Sequence, residues 1–175
     1  LDAVLATLHS SDDIGAVGGR IVLPGGVLQE AGDIIWRDGS CLGYLRGEAS
    51  SKPEAMFRRD VDYVSGAFLL TWRRVFEKMG GFDVDFAPAY YEDTDYCLRL
   101  WQCGLRVVYE PEAVLDHYEF GSSDQSRYAL ELQKHNQQIF HRKHRKWLDA
   151  EHWPPSPEVV TTARSRDSRP RLLFI

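Results

Sequence analysis

The chain reads as an α/β fold ending in a long helix, and three observations carry that reading. Short β-branched, glycine-punctuated runs alternate with amphipathic helical runs over the first 118 residues. Ser126 to Leu148 then keeps helical spacing for longer than six turns, with Leu132, Asn136, Ile139, Phe140, Lys143 and Trp147 close to one stripe. Finally, 175 residues with 43% hydrophobic and 12% aromatic content suffice for one domain with a sizeable core.

In order, Leu1 to Leu8 has apolar residues at helical spacing and reads as the tail of a helix. Ile14 to Leu23 reads as a strand; its G-x-x-G-G order is not that of a dinucleotide loop, and no helix follows. Pro24-Gly25-Gly26 is a turn, and Val27 to Trp36 predicts short strands interrupted by Gly32. Cys41 to Arg59 is a long polar loop, the kind that serves as a lid or binding loop or as a solvated excursion. Val61 to Thr71 is the most strand-like run, with Gly66 marking a bulge or a close approach of the backbone. Trp72 to Met79 is a short helix stopped by Gly80-Gly81. Leu105 to Tyr109 and Ala113 to Tyr118 are two strands around a Glu110-Pro111-Glu112 turn, and Gly121 to Ser123 is a loop. Asp149 to Pro170, with four prolines among many Ser, Thr and Arg, has the composition of a linker. Arg171 to Ile175 reads as the first strand of another domain, so the chain is expected to come from something longer.

Charge and cysteine usage exclude several classes. A net charge of -5 gives no support to nucleic-acid binding. Residues 127–146 carry +5, leaving -10 for the rest; that helix face suits either solvent or an anionic surface. Cys41, Cys97 and Cys103 are odd in number and lack C-x-x-C spacing, which implies free thiols and a reducing, cytoplasmic setting. No apolar run is long enough to span a membrane.

The chemistry concentrates in Ala89 to Gly104, AYYEDTDYCLRLWQCG. Two tyrosines precede Glu92, Asp93 and Asp95, and an amphipathic run closed by Gly104 follows, which predicts acids delivered to the first turn of a helix. One acid there is a cap. Three can be a cap with two solvated neighbours, a metal site, or a setting that raises one pKa enough for a general base.

Taken together, the motifs from Val61 to Ser123 resemble the C-terminal half of a family 2 glycosyltransferase, of the kind that builds bacterial surface polysaccharides. The residues are the Ser-Gly-Ala strand (65–67), the Gly-Gly-Phe-Asp turn (80–83), Tyr-Glu-Asp-x-Asp-x-Cys-x-Arg (91–99) and a strand ending in His117 before Gly-x-Ser (121–123). LQEAGDIIWRDGS, from Leu28, resembles an insertion in such enzymes. The resemblance implies a partial GT-A fold, with a mixed sheet flanked by helices. It divides the chain into an acceptor and catalytic-base part (1–148), a linker (149–170) and the start of a following domain (171–175).

It also implies roles. Asp93 matches the general base that takes the acceptor hydroxyl proton, supported by Glu92, with Asp95 capping the helix. His117 matches a residue that helps bind a divalent metal, Mg²⁺ or Mn²⁺. Gly66 and Ala67 would border the sugar pocket, with Asp83, Tyr90 and Tyr91 on the acceptor side; Trp72, Arg73 and Arg74 would meet substrate phosphates. The family's main Asp-x-Asp metal motif and nucleotide-binding strands would lie upstream of Leu1. The expected function is inverting transfer from a nucleotide sugar to a glycan or lipid-linked acceptor, with peripheral membrane contact. The fragment alone is expected to be inactive and to self-associate through its unpaired sheet edge. The alternative is a non-catalytic acceptor-binding or oligomerisation module, which an upstream sequence without Asp-x-Asp would favour. An unrelated hydrolase built on Glu92, Asp93, Asp95 and His117 ranks below both.

Overall fold

The computed structural model describes residues 1–118 and 123–166, with side chains from 127 onward in the second stretch. The mixed α/β architecture is as expected. β1 (Ile14–Leu23) is the spine, buried along nearly its whole length. It pairs in parallel with β7 (Arg106–Asp116) and antiparallel with β2 (Val27–Glu30) and β6 (Leu69–Thr71), while β5 (Arg59–Asp60) adds antiparallel to the far side of β7. A separate two-stranded ribbon joins β3 (Asp33–Ile35) to β4 (Cys41–Gly43). Helices α1 (Asp2–His9), α2 (Arg73–Lys78) and α3 (Glu92–Gln102) flank the sheet. The long helix α4 (Ser123–Glu151) and a last turn, α5 (Val160–Ala163), complete the fold. None of the described helices is long and apolar enough to cross a membrane.

The β1 glycines are a packing device. A Cβ on Gly18 would sit 2.4 Å from Val64 Cβ, and one on Gly19 would sit 2.4 Å from Phe68 Cε1. The strand is glycine-rich because a neighbouring segment lies directly on it.

Three expectations need correction. The strand expected over Val61 to Thr71 survives only as β6. Ser65 caps a 3-10 turn over Gly66–Phe68 by accepting from Ala67 N–H at 3.3 Å, and this bends the chain out of the sheet. The two strands expected around Pro111 are one strand, β7, in which the register jumps from Gly19↔Glu110 to Arg20↔Val114. Pro111 has no N–H to offer the ladder and sits in that irregularity.

The third concerns 149–170, of which 149–166 are described. Residues 149–151 finish α4, and the segment to Arg166 is strapped onto the domain instead of hanging free. His152 is buried, 4% exposed, and its Nδ1 donates to Ile35 O at 2.8 Å. Arg37 N donates to Trp153 O at 2.8 Å, and Arg166 reaches Asp62 Oδ1 at 2.7 Å. Composition reported a polar, proline-rich segment, but the buried partners that hold it lie more than 100 residues away. The loop expected at Gly121 and the strand expected over 171–175 lie outside the described residues.

Along α4, Ala129, Asn136, Phe140, His144 and Leu148 are buried, while Lys134, Arg142, Arg145 and Lys146 face outward. Lys143 turns inward to Asp83 and Asp95. All three cysteines are unpaired.

Candidate functional site

The sequence around the acids builds a helix start under constraint. Tyr90 and Tyr91 both take the left-handed conformation at φ 73°, where non-glycine residues are uncommon. Such a conformation costs of order 1–3 kcal/mol and persists when the surroundings over-determine it. Here the restraint is Asn136 of α4, 1% exposed, whose Nδ2 donates to Phe86 O (3.1 Å), Ala89 O (2.9 Å) and Tyr90 O (2.8 Å). Tyr91 also donates its hydroxyl to Gly39 O at 3.0 Å and packs on Phe140. Gly104, at φ 77°, ends α3 in the left-handed position that its sequence predicts.

The three acids of α3 then part company. Asp93 faces a cleft of about 810 Å³. Its Oδ2 accepts from Gly66 N–H at 2.7 Å, and its Oδ1 accepts from Thr94 N–H at 2.7 Å and Thr94 Oγ1–H at 3.2 Å. Enclosure by protein raises its pKa above the ordinary aspartate value, and the amide and hydroxyl donors only partly offset that. Glu92 shares the cleft; burial and the charge of Asp93 raise its pKa too, and its buried Oε2 meets no donor among the described residues.

Asp95 is no helix cap. It is fully buried one turn in, with Arg99 Nε and Lys143 Nζ each 2.6 Å away and His144 Nε2 at 2.7 Å. Burial opposes its charge, but these three partners outweigh it and hold the carboxyl below the ordinary range. Arg99 also donates to Met79 O and Gly81 O, so Asp95 anchors both α4 and the turn after α2.

Gly66, Ala67, Tyr90, Tyr91 and His117 all line the cleft with Asp93. A Cβ on Gly66 would stand 3.4 Å from Asp93 Oδ2, the close approach its position in the sequence suggests. His117 pairs through Nδ1 with Gln29 Oε1 at 2.7 Å. Among the described residues, no three His, Cys, Asp or Glu side chains converge where a metal could sit. These residues alone therefore do not fit a metal centre. Asp83 is not in the cleft; it caps the 3-10 turn that follows it and pairs with Lys143 at 2.5 Å. Trp72, Arg73 and Arg74 are also elsewhere: Trp72 meets His9 edge-on, Arg74 lies over Trp72, and Arg73 pairs with Glu77.

Two acids of the site escaped notice in the sequence. Glu30 and Asp33, from QEAGD, are 7% and 1% exposed, and Glu30 lies on the cleft wall. Both have raised pKa values, from burial first; that of Glu30 rises to about 7. A visible signal was two acids three apart inside an otherwise apolar strand pair, where a charged residue needs a reason.

No family model matches the chain. It is 30% identical over 157 residues to the O-antigen biosynthesis protein RfbC of Myxococcus xanthus, covering 86% of this chain and 12% of that protein. It is 28% identical over 122 residues to the uncharacterized protein y4gI of Sinorhizobium fredii, covering 67% of this chain and 13% of that protein. The chain thus spans only 12% and 13% of these curated relatives.

Proposed function

We propose that this chain is the acceptor-binding, catalytic-base part of an inverting family 2 glycosyltransferase with a GT-A fold, acting in polysaccharide biosynthesis. The likeness to an O-antigen biosynthesis protein supports the pathway class. The observation that carries the reaction is Asp93, raised in pKa at the end of a cleft with hydroxyl-, amide- and aromatic-bearing walls.

A sugar hydroxyl is a weak nucleophile until its proton leaves during attack. Asp93 Oδ1 is saturated by Thr94, whereas Oδ2 receives one amide donor and keeps a lone pair for that proton. As Oδ2 takes it, the acceptor oxygen bonds to the anomeric carbon, and the bond to the nucleoside diphosphate breaks on the opposite face. Gly66 and Thr94 hold the carboxylate in place, which is positioning rather than bond chemistry. The nucleotide sugar and any divalent metal would be held by the longer protein to which we assign this segment. No step here depends on them.

The test is Asp93→Asn in that longer protein. Transfer is expected to fall by about 10²- to 10⁴-fold, as for loss of a general base, with nucleotide binding intact. Near-normal turnover would remove the assignment.

A further inference from the structure

The cleft that holds Asp93 keeps its charges apart, and burial orders them. Its acids are sunk: Glu30 is buried, and Glu92 and Asp93 are half-buried. Its cations are exposed, Arg46 in the loop after β4 and Lys134 on α4. Among the described residues the acids meet no cation. Asp93 is held by amide and hydroxyl donors, Glu30 accepts from Ser65 N–H, and Glu92 Oε2 meets no donor.

Lys134 belongs to a second stripe of α4, beside the buried one. Leu130, Gln133, Lys134 and Gln137 recur at i, i+3, i+4 and i+7, and all line the cleft. The stripe runs along about 10 Å of helix. Other cations of α4 are matched: Arg127 pairs with Glu131, Lys143 with Asp83 and Asp95, and Arg145 with Asp149. Lys134 meets no acid among the described residues. Its three ammonium donors therefore stand open at the cleft mouth. A neutral sugar is served by the side-chain amides of Gln133 and Gln137; a cation beside them favours a ligand that brings negative charge.

We propose that Lys134, together with Arg46 from the ribbon side, selects acceptors that carry an anionic group, a phosphate or a carboxylate, remote from the hydroxyl that Asp93 deprotonates. The proposal rests on the transferase reading and names the acceptor class for it. Charge also fixes the orientation. The sunken acids repel an anion from the inner end, so the charged group turns to the mouth and a neutral hydroxyl is left for Asp93.

Calorimetric titration of this chain with glucose 1-phosphate, glucuronate and methyl glucoside tests the proposal. At least one charged sugar is expected to bind more tightly than methyl glucoside, with a preference that added salt erodes. The tighter of the two identifies phosphate or carboxylate as the group recognised. Lys134→Gln should weaken that binding roughly 5- to 10-fold, as for loss of a charged hydrogen bond, and leave methyl glucoside unchanged. Lys134→Arg should retain it, because the charge and not the packing is what matters. Equal affinities for the three sugars, binding of none, or indifference to Lys134→Gln would overturn the proposal. So would UDP bound through Lys134 in place of the charged sugars, since that puts the cation on the donor side. No turnover is read, so the base assignment, which Asp93→Asn tests by transfer, can fail or stand independently.

Discussion

Asp93 and Asp95 stand two residues apart on one helix turn and occupy opposite worlds. Asp95 is enclosed with three positively polarised partners within 2.7 Å, and its pKa is lowered. Asp93 is held by neutral amides and a hydroxyl, faces a cleft beside Glu92 and the buried pair Glu30 and Asp33, and its pKa is raised. A helix turn separates them by about 200° (at 3.6 residues per turn), which sends one side chain to α4 and the other to the cleft. The same residue type thus serves as a structural anchor where charges are matched and, in the function we propose, as the reactive group where they are left unmatched.

The largest expected effect lies on the cleft side, where Asp93→Asn should cost the proposed transfer about 10²- to 10⁴-fold. Asp95→Ala should leave the cleft chemistry untouched at first hand but destabilise the fold by about 3–5 kcal/mol, because Lys143, Arg99 and His144 lose a buried partner. Urea denaturation measures it; a loss below about 1 kcal/mol would deny the anchor role. The acid limb checks the sign: with a lowered folded pKa, the contribution of Asp95 is present above the ordinary value of 3.8 and disappears as pH falls through the folded value. Asp95→Ala should therefore flatten the loss of stability in acid.

Asn136→Ala sharpens the contrast from between the two regions. It removes the donor shared by Phe86, Ala89 and Tyr90 carbonyls and should cost about 1–3 kcal/mol. Faster amide hydrogen exchange confined to residues 86–94 would show that this side chain holds the tyrosine turn. Unchanged protection there would show that the turn is held by other means. At the small end, Arg73→Ala breaks an exposed pair with Glu77 and should change stability by less than about 0.5 kcal/mol.

Much of the scaffold was legible because it rests on local signals. The β1 strand, the α2 and α3 helices, the Gly104 stop and the long α4 follow from periodicity and terminators. The acidic cluster was also visible, but how its members divide was not: Asp95 reads as a cap until Lys143 and His144 are seen arriving from 48 and 49 residues away. Asp83 gives no local sign of its partner, Lys143, which draws it to the anchor side. Glu30 and Asp33 were hidden because their surroundings depend on the Ser65–Gly66 turn, which the sequence marks only as a bulge or close approach within a strand. The 152–166 strap was hidden for the same reason, its partners Ile35, Tyr44 and Asp62 being remote in sequence.

The most direct test of the division within α3 is one titration of selectively carboxyl-labelled aspartates in this chain. Asp93 is expected to titrate above 3.8 and Asp95 below it, with each assigned by its Asn variant. Coincident midpoints, or Asp95 above Asp93, would contradict the view that the helix start carries one reactive acid and one anchor.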